Sequence, residues 1–111
     1  MAPAYPQVEW NLVDLLGDRL ADLVGVSVSS MARYRTGQRG TPDDVALRLH
    51  VLAQIVSDLS GSYNAYGIRR WFDRPRSALN GRAPGEVLHG AWDPEDEQVV
   101  AVRELAAALT V

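Results

Sequence analysis

The stretch Leu20-Ala21-Asp22-Leu23-Val24-Gly25-Val26-Ser27-Val28-Ser29-Ser30-Met31-Ala32-Arg33-Tyr34 has the spacing of two helices that cross at a tight turn. Each position has a physical reason. Ala21 is small where the second helix passes over the first, Gly25 supplies the positive φ of the turn, and Val26 tucks beneath it. Leu20, Val24, Met31 and Tyr34 fill the wedge between the helices. Ser27 is placed to cap the second helix, with Met31 and Tyr34 on one side and Ser29, Arg33 and Thr36 on the other, until Gly37 stops it.

Working outward, residues 1–6 hold Pro3 and Pro6 and form an arm. Val8, Leu12, Leu15 and Leu16 follow the helical period, predicting a first helix over residues 8–16 that Gly17 ends. Asp18 is the expected N-cap of the next helix, which runs to Val24. Thr41-Pro42-Asp43-Asp44 is a helix start, with a capping threonine, proline at the first helical position and acids in the first turn. The helix it opens reaches about Leu59. Val45, Leu49, Leu52, Val56 and Leu59 make one apolar stripe on it, and Leu47, Val51 and Ile55 part of a second. A helix apolar on two sides is wrapped by its own domain or shared with a second subunit, so a homodimer is expected. Ser60-Gly61-Ser62 reads as a linker dividing the chain into residues 1–60 and 61–111. Beyond it the pattern predicts a helix ending near Phe72, a loop through Pro75 and Asn80-Gly81, a short helix over residues 84–88 and a last helix from Asp93-Pro94-Glu95-Asp96 to about Leu109. With no convincing strand or repeat, the expected fold class is all-α: an N-terminal helix-turn-helix bundle followed by a small helical subdomain.

A chain of 111 residues holds one compact domain or two small helical subdomains. At 47% hydrophobic and 23% charged it has the composition of an ordinary globular protein, which excludes a disordered or collagen-like chain. The absence of cysteine removes disulfides, thiolate zinc sites, iron-sulfur clusters and cysteine nucleophiles, and fits a cytoplasmic protein. No basic-then-apolar leader opens the chain, and apolar runs such as residues 51–56 fall well short of a membrane span, so no membrane association is expected. His50 and His89 have no companion at metal-ligand spacing, and Asp93, Glu95, Asp96 and Glu97 are explained by a helix N-terminus. Trp10, Trp71 and Trp92 read as core or interface anchors. No nucleophile-base pair, phosphate loop or paired-carboxylate constellation appears, so the expectation is a protein that is not an enzyme and needs neither cofactor nor metal.

Formal net charge is -3, which argues against a surface coated for nucleic acid, yet residues 27–41 carry Arg33, Arg35 and Arg39 and no acid. Ser27, Val28, Ser29 and Arg33 project from the first turns of the second helix, where a recognition helix meets base edges in the major groove. Arg33 can donate two hydrogen bonds to guanine, worth roughly 1 to 3 kcal/mol of discrimination. Ser27 and Ser29 would meet phosphate or base edges, and Arg35 and Arg39 would neutralise backbone charge. The same unit is also a sound bundle that serves as a dimerisation platform without touching DNA. It resembles the Xre-like helix-turn-helix family over the first half of the chain, with Tyr34 and Gly37 standing where such sequences often carry an aromatic and a glycine.

The most distinctive stretch is Trp71-Phe72-x-x-Pro75-x-x-x-Leu79-Asn80-Gly81-Arg82-x-Pro84-x-Glu86-Val87-Leu88. Physically it is an aromatic helix end, a proline that prevents continuation, a turn and a proline-started short helix. It is also similar to the toxin-binding domain of the Xre/MbcA/ParS antitoxins, in which that domain follows a helix-turn-helix. Together the two resemblances cover the chain from about Leu20 onward. Phe72 and Arg76-Ser77 depart from the family's usual leucine and asparagine-proline. The resemblance implies a type II antitoxin that blocks the pocket of a cognate RES-domain toxin acting on NAD and represses its own operon by binding operator DNA. Arg76, Asn80 and Arg82 are the polar groups of the toxin-binding motif, and Leu109, Thr110 and Val111 are the C-terminal plug it suggests. Residue by residue, Arg82 also reads as a brace for loop carbonyls, and the alanines before Leu109 as the end of a packed helix. A stand-alone transcriptional regulator and an adaptor that has lost DNA contact are the competing readings.

Overall fold

The computed structural model describes residues 11–109, and among them the regular structure is helical. Seven α-helices follow one another: α1 (Leu12–Leu16), α2 (Arg19–Val24), α3 (Val28–Thr36), α4 (Asp43–Ser60), α5 (Ala65–Trp71), α6 (Pro84–Val87) and α7 (Glu97–Ala107). A 3-10 turn, Ser77–Leu79, stands between α5 and α6, and an isolated antiparallel bridge joins Arg76 to Arg82. The arm over residues 1–6, with Val8 and Trp10 of the expected first helix, lies outside the described residues, as do Thr110 and Val111.

Side-chain caps set several helix starts. Ser27 Oγ accepts from the Ser30 N–H at 3.0 Å and opens α3, as its sequence position predicts. Asn64 Oδ1 accepts from the Gly67 N–H at 2.9 Å and opens α5. Three starts differ from expectation. Asp18 stands at the capping position of α2 but its side chain makes no cap bond. Pro42, rather than Thr41, occupies the capping position of α4, and the acids Asp43 and Asp44 complement that helix end. α7 begins at Glu97 and not beside Asp93, because side-chain bonds hold residues 93–96 in a separate turn. There Asp93 Oδ1 accepts from the Glu95 N–H at 2.8 Å and Asp96 Oδ2 from the Asp93 N–H at 2.9 Å.

α4 is the spine, packed against α2, α5 and α7. Both of its apolar stripes are used mainly inside the chain: Val45, Leu49, Leu52 and Leu59 of the first are buried, and so are Val51 and Ile55 of the second. Leu47 stays exposed and Val56 half-buried. One cluster of buried apolar side chains runs from Leu12 to Ala106 and so crosses the Ser60-Gly61-Ser62 segment. Full burial of a leucine or valine such as Leu52, Leu88 or Val102 stabilises the fold by roughly 1.5–3 kcal/mol.

The two halves meet at the turn between α2 and α3. Gly25 there has φ +78°, and the Val26 N–H reaches back to Ala21 O at 3.0 Å. A Cβ on Gly25 would lie 2.4 Å from Gly90 O, so glycine is needed both for the sign of φ and for the approach of the loop after α6. That loop clamps the end of α2. Trp92 Nε1 donates to Leu23 O at 2.6 Å, and His89 Nδ1 lies 3.2 Å from Asp22 Oδ1. Arg48 completes the clamp from α4: its Nε donates to Trp92 O at 3.0 Å, one terminal nitrogen donates to Val24 O, and the other pairs with Asp44 Oδ2 at 2.9 Å. At 5% exposure Arg48 is a buried cation, admissible because its N–H groups meet acceptors.

Candidate functional site

The six residues expected to meet DNA sit at the N-cap of α3, on α3 and in the loop after it, but on more than one side. Ser29 and Arg33 are one helical turn apart and share the outward face, both exposed. The chain folds back after Gly37, and the backbone N–H of the exposed Arg39 donates to Arg33 O at 3.2 Å, returning the loop to the end of the helix. Val28 and Arg35 turn toward α1 and α2, where with Val13, Asp18, Ala21 and Met31 they line a crevice of about 90 Å³. Val28 is 52% exposed, an apolar group open to a thymine methyl or to another protein. Ser27 is exposed, but its hydroxyl caps the helix and donates to Ser30 Oγ at 3.0 Å, which leaves less of it for an external phosphate. Arg33, Arg35 and Arg39 form no ion pair among the described residues, so their charge faces solvent.

The motif of the second half closes into one tight turn. The Arg76 N–H donates to Arg82 O at 3.0 Å and the Gly81 N–H to Arg76 O at 2.9 Å, while Asn80 adopts φ +58° between them. Asn80 is exposed at its tip. Arg82 braces the turn: its guanidinium donates to Glu86 O at 3.0 Å and to Gln98 Oε1. Glu86 in turn accepts from the Ala83 N–H at 2.9 Å, fixing the start of α6. The Arg76 guanidinium lies 5.7 Å from the centre of the Trp71 ring, and its Nε and Nη2 are buried without a hydrogen-bond partner among the described residues. Leu109 stands apart from this turn. It follows α7, whose first residues meet Arg82, and the helix between rises about 16 Å. Its side chain is half-buried against the core.

Two features carry no sequence expectation. Arg48 is one: its place in the α4 pattern looks like an ordinary solvated arginine, and only the carbonyls of Val24 and Trp92 reveal its role. The other is charge. Residues 63–82 contain Arg69, Arg70, Arg74, Arg76 and Arg82 against the single acid Asp73, a local +4 that exceeds the +3 over residues 27–41. A windowed charge count would have found it. A groove of about 550 Å³ also lies between α4 and α7, lined by Gln54, Ile55, Glu95, Arg103, Glu104 and Ala107 among others.

Among the described residues no group of three or more histidines, cysteines or acids is placed to hold a metal ion, and no helix is long and apolar enough to cross a membrane. Trp71 and Trp92 are buried anchors; Trp10 lies outside the described residues. Comparison with family models, with curated proteins and with solved structures returns no match for this chain.

Proposed function

We propose that this chain is a cytoplasmic, homodimeric type II antitoxin that reads operator DNA through α3 and neutralises a RES-domain toxin acting on NAD through its C-terminal half. The observation that carries the DNA part is the exposed pair Ser29 and Arg33 on one face of the helix that follows the Gly25 turn, with exposed Arg39 in the loop whose backbone returns to it and no ion pair at either arginine among the described residues. A dimer presenting two such faces would read two half-sites together, with Arg33 on a guanine edge and Arg39 on the backbone. The toxin part rests on the resemblance of residues 71–88 to the toxin-binding domain. It is supported by the closed turn that holds Asn80 at the surface and by the buried Arg76 Nε and Nη2, which have no hydrogen-bond partner among the described residues. The chain's role is binding and occlusion, not catalysis.

The test is to induce the adjacent gene in a surrogate host, with and without this protein, while following growth and cellular NAD. Arrest with NAD loss, reversed by this protein, is the expected result; no arrest, or arrest it cannot relieve, would overturn the antitoxin reading. A second reading has its own observation. Trp92 and His89 brace the α2–α3 turn, so the C-terminal half also suits a stand-alone regulator in which it only supports the DNA-reading unit. That reading predicts a gel shift on the chain's own upstream region with no toxin beside it.

A further inference from the structure

The five arginines of residues 63–82 are not equivalent. Asp73 is ion-paired to Arg19 and does not neutralise its neighbours. Arg69 donates to Leu15 O at 3.3 Å, and Arg82 is engaged with Glu86 and Gln98. Arg70 and Arg74 remain exposed and without an ion pair among the described residues. They edge a cleft of about 120 Å³ whose other walls are Tyr63, Tyr66, Gly67 and Trp71. The missing side chain at position 67 shapes it, since a Cβ there would stand 3.0 Å from the Tyr63 ring.

The aromatic groups of the cleft are already partnered in a way that selects its ligand. The Arg70 guanidinium lies 5.7 Å from the centre of the Tyr66 ring and donates to the Tyr66 hydroxyl at 3.2 Å. Trp71 is only 2% exposed, with Phe72 edge-on at 5.3 Å and Arg76 over its ring. Trp71 is therefore no platform for a base, and Tyr66 is the one exposed ring of the cleft, short of the successive aromatic platforms on which single-stranded nucleic acid stacks. Beside that ring the exposed Arg70 and Arg74 present guanidinium N–H. A planar fork seated on an aromatic ring has lost rotamer freedom in advance and matches a carboxylate bidentately. Tyrosine and arginine are also among the residues that dominate binding at protein interfaces. Tyr66 is 62% exposed, an amphipathic surface beside the charges.

We propose that the Tyr63–Tyr66–Arg70–Arg74 cleft docks an acidic segment of a partner protein, an Asp or Glu carboxylate lying between Arg70 and Arg74 and an apolar neighbour against Tyr66. This rests on the reading of the C-terminal half as a partner-binding unit and extends it to a surface outside the Asn80 turn. The test titrates the ¹⁵N-labelled full chain with a capped peptide of about eight residues alternating glutamate and leucine, with octathymidylate as the nucleic-acid probe. Expected are saturable amide shifts confined to residues 63–76, weakening severalfold as salt rises past about 0.15 M because the charges are exposed. Arg70→Gln with Arg74→Gln should weaken peptide binding about tenfold or more without lowering Tm, both side chains being exposed. Equal binding by that double variant, shifts centred on α3, or stronger binding of octathymidylate at residues 63–76 would overturn the proposal. Pull-down of the adjacent gene product separates the two readings. If it never associates while the peptide result holds, the toxin assignment fails and the cleft stands. If it associates equally with the double variant and the peptide does not bind, the cleft fails and the toxin assignment stands.

Discussion

Replacing Arg48 by methionine tests whether the clamp around the α2–α3 turn is what unites the two halves. The substitution leaves Val24 O and Trp92 O, both facing a buried guanidinium in the native chain, without their donors. Each unsatisfied carbonyl costs roughly 1–3 kcal/mol. Asp44 adds little, because its side chain is 67% exposed and returns to water. Methionine keeps most of the apolar volume and no longer requires a buried charge, which offsets part of the loss. The net expectation is a destabilisation of about 3 kcal/mol. With an unfolding entropy of about 2.1 cal/mol/K per residue, a chain of 111 residues should then melt about 13 °C lower. Thermal and urea unfolding followed by circular dichroism measure this, with an unchanged urea m-value as the sign that the denatured state is not involved. Hydrogen exchange should quicken at residues 25–28, the turn the clamp holds. Arg48→Lys, which keeps the charge but not the fork, should recover only part of the loss. A loss below about 1 kcal/mol for Arg48→Met would refute the reasoning, since one satisfied carbonyl alone is worth that much.

Gly25→Ala meets both a positive φ and Gly90 O, and should destabilise by more than about 2 kcal/mol in urea unfolding; near-neutral behaviour would mean the loop after α6 moves aside freely. Arg33→Ala should abolish operator preference in a gel shift while toxin neutralisation persists, the side chain being exposed; loss of both would assign Arg33 a structural role. Operator affinity should fall with salt at a log-log slope of about -6, for three to four phosphates contacted by each protomer of a dimer, and a slope near zero would remove α3 from the DNA. Deleting residues 109–111 should abolish neutralisation and spare operator binding. Full neutralisation by the truncated chain would show that the C-terminal end is not the plug.

Much of the helical architecture is legible from short-range pattern. Ser27 caps α3 and Gly37 follows it with φ +80°, as the residue types require. Local pattern fails where one local interaction outcompetes another. Asp93 and Asp96 look like the start of α7, yet their carboxylates close a turn on their own backbone and delay the helix to Glu97. The candidate surfaces divide the same way. Ser29 and Arg33 share a face by helical periodicity alone, whereas the return of Arg39 to Arg33 depends on a loop conformation that no spacing rule supplies. The engagement of Arg82 with Gln98 spans sixteen residues and two helix starts, so its bracing role is visible in the sequence only as a possibility of its type.

Helix type, the α2–α3 turn and the burial of α4 are written in residue order, because 3.6-residue periodicity, caps and glycine act over a few positions. The union of the two halves is not. Leu23, Val24, Arg48 and Trp92 come from three separate elements and converge only when α4 is covered from both sides. A buried guanidinium is tolerable there because the carbonyls of Val24 and Trp92 are aimed at it and Asp44 pairs with its remaining terminal nitrogen. The linker at Ser60-Gly61-Ser62 is a local signal of flexibility, and the core packs straight across it because burying apolar side chains is blind to sequence distance.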